Sequence, residues 1–475
     1  MLGRRGYRCE PNLGLWSLLA AARRAGWAES EILDLNLEAL KEYKQGNRRP
    51  DAWVEVLRRK LDQFQPDVAG VSCLFSTTAG LALEIARAIR KHGKAKVVMG
   101  GTEATVDPEL LLRETAVDYC VSGEGEDAFC GLLADLASGA SPVGRPGVGS
   151  LVSGKPVVTA RAKYSAGLDA LPMLDPELIP FAEYAATGRV AGLFNVRDLA
   201  LPYETSRGCP FRCTFCGAHV VWGRKVRYKS LERIAGELDF MRSRLDFRHV
   251  YLQDDTPFLD KARTLAVLEV FKARRIDLHF PNSLRVNSLD EGILDALSAA
   301  GVKRINLAIE SCLEETLKQR MKKDVDLAHA ARIIDYARDH TALEVTANIL
   351  LGYPGETAQD VAESLERLKG MRLDWISFGF VEPWHGSEVH ALALAKGYIK
   401  EDAANPSLDV CRVNTEHLTH RQLEEAVDRA NIEFNFRNNV NIAEKRFDRA
   451  RGFFEYVLAT VPEHEEARKA LARCS

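Results

Sequence analysis

Residues 206–217 read Ser-Arg-Gly-Cys-Pro-Phe-Arg-Cys-Thr-Phe-Cys-Gly, and they place Cys209, Cys213 and Cys216 within eight residues. Cysteine thiolates are the usual ligands of iron–sulfur clusters, and a cubane needs four ligands. No fourth cysteine lies nearby in the sequence. The spacing therefore predicts a cubane with three protein ligands and one open iron, which can bind the amino and carboxylate groups of a small molecule.

A zinc site is the alternative that this loop leaves open. Structural zinc is bound by four nitrogen or sulfur ligands, and His219 is close enough in sequence to be the fourth. A disulfide framework is not expected, because the ten cysteines belong to a long chain and most are scattered. We favour the cluster, because a zinc loop alone does not explain the barrel pattern around it.

The segment from 201 to 400 repeats a strand and then a helix six times. Six such repeats predict a partial (β/α)6 barrel of the TIM type, and chemistry is expected at the carboxyl ends of its strands. The predicted strands are 203–206, 249–252, 279–282, 304–308, 344–350 and 375–380.

Residues 1–155 also alternate helices with strands, which predicts an α/β, Rossmann-like domain with a parallel sheet. Ligands of such sheets bind beyond the carboxyl ends of the strands, here in the loops 72–78 and 100–105. The predicted helices are 13–26, 52–64, 78–92 and 126–136, and the predicted strands are 31–35, 67–73, 96–99 and 118–122.

Two further segments complete the chain. Residues 156–200 contain four prolines and little periodicity, which predicts a linker. Residues 401–475 are predicted to form a small helical domain, in which 443–474 resemble one tetratricopeptide helix pair. A single pair cannot bury its own apolar face. We therefore expect it to pack on the barrel as a structural cap, or less readily on a protein partner.

Composition limits the classes of function. The 475 residues are 46% hydrophobic and 28% charged, with a net charge of −3, as in ordinary soluble proteins. No basic excess indicates nucleic acid binding, and no apolar stretch is long enough for a membrane span. The apolar run 13–22 is followed by Arg23 and Arg24 rather than by a cleavage site, so we expect a cytoplasmic protein without a signal peptide.

The cysteine loop resembles the cluster loop of the radical S-adenosylmethionine (SAM) superfamily. The resemblance implies that Phe215 lies next to the adenine of SAM. It extends over residues 201–395, where Asp254 and Asp255 look like the motif that contacts the methionine amino group. Further strand-end residues then imply contacts with SAM, and these are Asn282, Arg285, Glu310, Ser311 and Gly352.

Structural roles are the alternative for several of these residues. Asp254 could cap the helix expected near residue 259. Glu356, in a stretch that also resembles the superfamily, could lie in the first turn of a helix, where the helix dipole favours a carboxylate. We prefer the structural role for Glu356. For Asp255 and Glu310 the two readings have equal weight.

The first segment resembles the cobalamin-binding domain that precedes the barrel in one subgroup of this superfamily. The similar stretches are 11–15 with Leu33 and Asp34, 67–73, 97–105 and 117–126. Small residues and backbone N–H groups suit the phosphate-bearing tail of the cofactor. The contacts implied by this resemblance are Ser72, Ser76, Thr77, Gly100, Gly101, Thr102 and Glu124.

Two departures from the subgroup stand out. The chain contains no Asp-x-His-x-x-Gly motif, so no histidine ligand for the lower face of cobalamin is expected. The opening strand of the domain, expected before Pro11, is also missing, because residues 1–10 are short, basic and unlike a strand. The prediction that the chain binds cobalamin is therefore independent of the prediction that it binds a cluster.

The resemblance implies a radical mechanism. An electron donor such as flavodoxin or ferredoxin reduces the cluster, SAM is cleaved at its C5′–S bond, and a 5′-deoxyadenosyl radical removes hydrogen from an unactivated position. The protein positions the cofactors and excludes water. Trp384, His385 and His390 follow the sixth strand and could line the cavity, with a core or solvent-facing position as the alternative.

Three functions are compatible with these patterns. The leading one is a cobalamin-dependent methyltransferase that acts on an unactivated carbon, or phosphorus, of a small molecule or peptide. The second is a radical SAM enzyme that performs cyclisation, rearrangement or oxidation without methylation. The third, a partner-binding protein with a vestigial cluster, is disfavoured by the intact set of three cysteines.

Overall fold

A five-stranded sheet organises the first domain. The computed structural model describes residues 9–160, 164, 167–187, 199–399 and 411–474. Three strands are parallel and are followed by an antiparallel hairpin: β1 (Val68–Ser72), β2 (Lys96–Gly100), β3 (Tyr119–Val121), β4 (Val148–Val152) and β5 (Lys155–Val158). The longer helices of the domain are Leu13–Arg24, Leu35–Lys44, Ala52–Phe64, Ser76–His92 and Gly125–Ser138.

The strand predicted at 31–35 is wrong. Residues 31–34 have no regular structure, and Leu35 begins the helix Leu35–Lys44. Asp34 caps this helix by accepting hydrogen bonds from the backbone of Asn36 and Leu37. Among the described residues β1 is the edge of the sheet, so this segment has no neighbouring strand, and its last residue serves as the N-cap of the helix instead. Most of the missing opening strand would fall on residues 1–8, outside the described residues.

The segment predicted as a linker is folded in part. Strand β5 reaches Val158, and the helix Phe181–Thr187 follows two short 3-10 turns, Leu168–Ala170 and Pro176–Leu178. The Trp16 and Phe181 rings meet edge to face at 5.2 Å, and Tyr184 donates a hydrogen bond to Asp34 at 2.6 Å. This segment therefore fastens the first two helices of the chain to the rest of the protein.

Six parallel strands form the partial barrel, as predicted. The first, β6 (Ala200–Tyr203), leads into a short antiparallel pair, β7 (Ser206–Arg207) and β8 (Arg227–Tyr228), on either side of the cysteine loop. A parallel bridge between Leu284 and Leu307 joins two three-stranded sheets into one curved wall. The remaining strands are β9 (His249–Leu252), β10 (Asp277–His279), β11 (Arg304–Glu310), β12 (Glu344–Leu351) and β13 (Trp375–Phe380).

Two barrel strands are displaced from their predicted positions. The first strand is Ala200–Tyr203 rather than 203–206. The third strand is Asp277–His279 rather than 279–282, because Pro281 has no N–H to donate to a ladder. Helices cover the outside of the barrel, and these are Leu231–Arg242, Lys261–Ala273, Glu291–Ala299, Leu327–His340, Ala358–Leu368 and Glu388–Ala395.

The two domains share one hydrophobic core. Leu13 and Trp16 from the first helix, and Leu37 and Leu40 from the second, are buried in the same cluster as the barrel strands. The sheet of the first domain has a separate core, which contains Val97, Met99 and Leu112 among others. The first two helices thus contribute to the core of the barrel, and they also pack on the helices Gly125–Ser138 and Ala52–Phe64 of the first domain.

The C-terminal helices pack on the barrel near the start of β13. The Trp375 ring stacks on Phe453 at 5.3 Å and meets Phe436 edge to face at 5.4 Å. This is the capping position that we expected for the helix pair. The four helices of this region are His420–Ile432, Val440–Ala443, Phe447–Thr460 and Glu465–Ala472. Every described helix of the chain is too short or too polar to serve as a membrane span.

A buried ion-pair cluster lies beneath this cap. The Arg338 and Asp374 side chains, both 0% exposed, are 2.6 Å apart. Arg338 also donates to Asn441 and Glu444 of the C-terminal region, at 3.1 and 2.8 Å. Buried charges persist only when they are paired. The cluster therefore ties the C-terminal region to the helix Leu327–His340 and to the start of β13.

Glu444 makes the stability of this cap dependent on pH. Although burial acts in the opposite direction, hydrogen bonds from Arg372 and Arg338 lower the pKa of Glu444 from 4.5 to about 2. A carboxylate whose pKa is depressed by folding contributes stability above its unfolded pKa, and this is lost as pH falls towards the folded pKa. We expect Glu444→Gln to be less stable than the wild type at pH 7, and this difference to shrink between pH 4.5 and about 2. Urea unfolding at several pH values measures the difference.

The exposed Glu363, paired with Arg367 on one helix, gives the matched control. We expect Glu363→Gln to leave the pH dependence of unfolding unchanged, because exposed pairs contribute little. A difference between Glu444→Gln and the wild type that stays constant down to about pH 2 would contradict the assignment.

Candidate active site

The cysteine loop starts where β7 ends and is held in a tight turn. Gly208 has φ +112°, and a Cβ at this position would lie 2.6 Å from the Lys225 carbonyl oxygen. Only glycine fits such a conformation and such a close approach. The Cys209 N–H donates to the Gly223 carbonyl at 3.1 Å, and the Cys216 N–H donates to Cys213 at 3.2 Å. Side chains add to these backbone contacts, since the Arg224 guanidinium donates to the Phe211 carbonyl of the loop at 2.5 Å.

The three loop cysteines differ from most of the others in exposure. All ten cysteines are unpaired, and Cys209, Cys213 and Cys216 are partly exposed, whereas six of the other seven are buried. Burial raises the pKa of Cys209 to about 11 and also raises the pKa of Cys216. Such thiols are protonated at neutral pH, and a bound metal is what deprotonates them.

The arrangement fits a cubane better than zinc. Within the described ranges, no three His, Cys, Asp or Glu side chains converge on one ion. A zinc site built from the loop and His219 requires that convergence. A cubane does not, because each thiolate binds a different iron. Of the two metal sites that the sequence left open, the residues therefore fit the cluster.

Asp254 supports the cysteine loop from the second barrel strand. Its buried carboxylate accepts hydrogen bonds from the backbone N–H and the hydroxyl of Thr205, both at 2.7 Å, and from the Ser206 hydroxyl. It does not cap the next helix, which begins at Lys261 with Asp260 as its N-cap. The capping alternative is therefore wrong, and both carboxylate oxygens are directed to the residues that precede the cysteines.

Asp255 has a different environment. It is half-buried, and among the described residues no group donates a hydrogen bond to its side chain. Burial, followed by the charges of Asp254 and Glu204, raises its pKa to about 7. An unpartnered carboxylate of this kind gains most from a cationic ligand. The contact of Asp255 with the methionine amino group stays a prediction.

Arg285 lies directly against the cysteine loop. Its guanidinium carbon is 3.4 Å from the centroid of the Phe211 ring, and it donates to the Asp324 carbonyl at 3.1 Å. Asn282 instead donates to the backbone carbonyls of Gln253 and Asp254, at 2.9 and 3.3 Å. The Asn282 amide nitrogen thus holds the end of β9, and Arg285 remains at the predicted cofactor position.

Glu310 and Phe215 are connected through a lysine that the sequence analysis missed. The buried Lys323 donates to Glu310 at 3.0 Å and lies 5.6 Å from the centroid of the Phe215 ring. Glu310 has φ +69°, an uncommon conformation for a residue with a side chain. Ser311 is fully buried and accepts a hydrogen bond from the Leu313 N–H at 3.2 Å, so its hydroxyl serves the local turn.

Gly352 and Glu356 have packing roles. Gly352 has φ +69°, and a Cβ there would lie 1.9 Å from the Leu423 side chain, so its glycine is needed for contact with the helix His420–Ile432. Glu356 is buried and accepts hydrogen bonds from the Thr316 hydroxyl and the Tyr353 N–H, both at 2.8 Å. It precedes the helix Ala358–Leu368 rather than lying in its first turn. The structural role that we preferred for Glu356 agrees with these bonds.

The predicted cobalamin loops lie together at the carboxyl edge of the first sheet. Ser72 and Gly100 end the paired strands β1 and β2. Gly101 has φ +95°, and a Cβ there would lie 2.6 Å from the Cys73 carbonyl, whereas a Cβ on Gly100 would meet nothing within 4 Å. Gly101 is therefore packed tightly against the residue that follows β1, whereas the space beside Gly100 is open. Ser76 and Thr77 begin the helix Ser76–His92, with Thr77 buried, and Thr102 begins the next short helix.

Glu124 takes part in a buried network between the domains, which is not the role predicted for it. It pairs with Arg227 at 2.6 Å and lies 3.5 Å from Arg207. Arg207, in β7, also pairs with Glu126 of the first domain at 2.8 Å and with Glu204 at 2.7 Å. This network connects the end of β3 to the strand before the cysteines. The acidic residues at 124 and 126 were its only signal in the sequence.

Two family models match the chain, in agreement with this geometry. The B12 binding domain model matches residues 2–133, and the Radical SAM superfamily model matches residues 203–368. Residues 203–368 belong to the radical SAM superfamily, and residues 2–133 form a B12 binding domain. This membership confirms the predicted cofactors of this radical SAM enzyme, which are a [4Fe–4S] cluster, SAM and cobalamin.

Individual relatives cover most of the radical SAM chain. It is 27% identical to "Uncharacterized methyltransferase PH0819" of Pyrococcus horikoshii, over 80% of this chain and 81% of that protein. It is 26% identical to cytidylyl-2-hydroxyethylphosphonate methyltransferase of Streptomyces wedmorensis, over 82% and 79%. The fold is similar to that of the cobalamin-dependent SAM radical enzyme OxsB, with a TM-score of 0.70 at 17% identity, covering 92% of this chain and 66% of that one.

Proposed function

We propose that this radical SAM enzyme is a cobalamin-dependent methyltransferase that acts on an unactivated carbon, or phosphorus, of a small molecule. The observation that carries the proposal is the position of the two cofactor regions. The buried pair of Arg207 and Glu126, 2.8 Å apart, holds the start of the helix Gly125–Ser138 of the cobalamin domain against the strand that precedes Cys209. The names of the two relatives as methyltransferases support the same reaction.

The side chains around the barrel mouth have distinct proposed roles. Cys209, Cys213 and Cys216 would hold the cluster, and when bound the cofactors supply radical formation and carriage of the methyl group. Asp255 would bind the amino group of SAM, because it is a half-buried carboxylate without a donor. Arg285 would bind the carboxylate group of SAM, since its guanidinium is held against the cysteine loop.

The inner wall of the barrel is suited to a polar substrate without charge. Asn348 of β12 is only partly buried, which places it on the open side of the wall. Asn348 and Asn306 both donate to the Ser283 hydroxyl oxygen, at 2.7 and 2.8 Å. A hydroxyl oxygen that accepts twice keeps its own proton as a donor. We propose that this hydroxyl binds a neutral oxygen of the substrate.

Anaerobic reconstitution with iron, sulfide and hydroxocobalamin tests the proposed function. We expect about four irons, as a cubane requires, and one cobalamin per chain. With SAM and titanium(III) citrate as the reductant, S-adenosylhomocysteine should form only when cobalamin is present, alongside 5′-deoxyadenosine. Protein reconstituted without cobalamin is the control. Formation of 5′-deoxyadenosine without cobalamin-dependent S-adenosylhomocysteine would instead favour the enzyme that does not methylate.

The cellular setting is also a proposal. The cluster needs a one-electron donor, and a flavodoxin or ferredoxin fits that requirement. Ten unpaired cysteines and an oxygen-sensitive cluster suit the reducing conditions of the cytoplasm. The C-terminal helices could bind a protein partner on the side that faces away from Trp375.

A further inference from the structure

A hydrogen bond between Glu103 and His385 joins the cobalamin domain to the barrel. The Nδ1 atom of His385 and the Oε1 atom of Glu103 are 2.6 Å apart. The Glu103 side chain is 2% exposed and that of His385 is 28% exposed. A buried carboxylate is costly unless it is hydrogen-bonded. This hydrogen bond between the domains therefore stabilises a buried charge and is not a contact between exposed groups.

Glu103 belongs to the loops that are expected to hold cobalamin. It is the second residue of the helix Thr102–Val106, which follows Gly100 and Gly101 directly. Its backbone N–H donates to the Cys73 carbonyl at 3.1 Å, which ties the helix to the end of β1. Glu103 therefore lies directly beside the two strand ends that carry the predicted cofactor contacts.

His385 belongs to a segment that touches the cysteine loop. The His385 carbonyl oxygen lies beside Gly217, 3.5 Å from where a Cβ would be. Four residues further on, the Val389 N–H donates to the Thr214 carbonyl at 3.0 Å, between Cys213 and Cys216. The hydrogen bond between Glu103 and His385 therefore connects the cobalamin loops to a segment that contacts the cluster loop.

Neighbouring contacts leave little freedom for this segment. Gly386 has φ +80°, and a Cβ there would lie 2.9 Å from Val106 of the cobalamin domain. Next to it, the Trp384 ring lies 5.1 Å from the Phe75 ring, which follows β1. The segment 384–386 is thus in close contact with the cobalamin domain on both sides of His385.

We propose that Glu103 and His385 are a positioning pair that sets the place of cobalamin relative to SAM. The inference rests on the proposed function and goes beyond it, because it assigns a role to residues that touch neither reacting group. Methyl transfer requires reacting atoms within about 3–3.5 Å, and a misplacement of about 1 Å can cost a hundredfold in rate. A short hydrogen bond that His385 donates to the buried Glu103 carboxylate keeps that distance fixed.

Other charged groups near His385 do not replace Glu103. The hydrogen bond with Glu103 raises the pKa of His385, although burial acts against it, and Asp107 and Arg412 act from further away. His390, whose ring is 4.5 Å from that of His385, has its pKa lowered to about 4 by burial and by His385. His390 is therefore neutral near pH 7, and the strong hydrogen bond belongs to His385 and Glu103.

Two substitutions of His385 distinguish a role in positioning the cofactors from a role in the overall stability of the protein. His385→Ala removes the donor to Glu103. His385→Asn retains a donor, since the asparagine amide nitrogen takes the place of Nδ1. His92→Asn is the matched control, because His92 pairs with the exposed Asp62 far from both cofactor regions. All three variants are studied as reconstituted holoprotein with hydroxocobalamin.

The measurements are the dissociation constant of hydroxocobalamin, the EPR spectrum of the bound Co(II) form, and the rate of S-adenosylhomocysteine formation with titanium(III) citrate. We expect His385→Ala to lower that rate by about 10- to 100-fold and to alter the EPR spectrum, since about 1 Å of displacement suffices for this. Its iron content and its affinity for SAM should match those of the wild type. His385→Asn should restore both the rate and the spectrum, and His92→Asn should behave as the wild type.

Two results would overturn the positioning role. One is a wild-type rate and spectrum in His385→Ala, and the other is a loss in His385→Asn as large as that in His385→Ala. If the wild type itself binds no cobalamin and forms no S-adenosylhomocysteine, the proposed function fails and the positioning role fails with it. Thermal unfolding of each variant shows whether any loss comes from misfolding, and His385→Asn still decides the question if His385→Ala does not fold.

Discussion

Replacing Cys213 by alanine eliminates the iron–sulfur cluster and the cleavage of SAM. Cys213 lies between the two other cysteines of the loop, and two thiolates cannot hold a cubane that needs three from the protein. We expect iron to fall from about four per chain to well below one after anaerobic reconstitution, with loss of the brown colour. Production of 5′-deoxyadenosine should fall to the background of protein without iron.

Cys130→Ala is the control for this experiment. Cys130 is the other partly exposed cysteine, and it lies on the helix Gly125–Ser138 of the cobalamin domain. Its removal should leave both the iron content and SAM cleavage at wild-type levels. A Cys213→Ala protein that retains four irons and cleaves SAM would refute the central assignment of the site.

Replacing Asp374 by alanine destabilises the whole barrel. The Asp374 carboxylate accepts from Arg338 and from the Val345 N–H, both at 2.6 Å, and all of these groups are buried. Its loss leaves the Arg338 guanidinium, which is 0% exposed, without its nearest counter-charge. Breaking a buried pair from one side costs about 3–5 kcal/mol in the free energy of unfolding. Calorimetry and urea unfolding should both show this loss.

The exposed pair of Glu363 and Arg367 again supplies the comparison. Glu363→Ala removes one turn-to-turn ion pair on a helix surface, where such pairs contribute about 0.3–0.5 kcal/mol. If Asp374→Ala lost no more stability than Glu363→Ala, the buried cluster would not be what holds the C-terminal cap. A larger loss of stability in Asp374→Ala than in Glu363→Ala would show that the buried pairing of Arg338 with Asp374 and Glu444 stabilises the packing of the C-terminal region on the barrel.

The features that the sequence predicted well are local ones. Strand β13 has the predicted bounds, because its apolar run is long and its turn signals are clear. The cysteine loop was found from spacing alone, since all its ligands lie within eight residues. In both cases the information that determines the structure is contained in one short stretch of chain.

The features that were missed depend on partners far away in sequence. The segment 31–34 has the composition of a strand but no neighbouring strand among the described residues, and pairing is what makes a strand. Glu103 and His385 are 282 residues apart, so no local pattern connects them. Glu124 was assigned to a cofactor loop by its motif, whereas the fold pairs it with Arg227.

The shared core of the two domains has a consequence for exchanging cofactor modules between related enzymes. Because Leu13, Trp16, Leu37 and Leu40 are buried with the barrel strands, the helices that carry them join the two domains and belong to neither alone. A chimera cut in the segment 156–200 would strip these helices from their partners. A junction between the helix that ends at Lys44 and the one that begins at Ala52 would keep these two helices with the barrel, but it would separate them from the helices Ala52–Phe64 and Gly125–Ser138, on which they also pack.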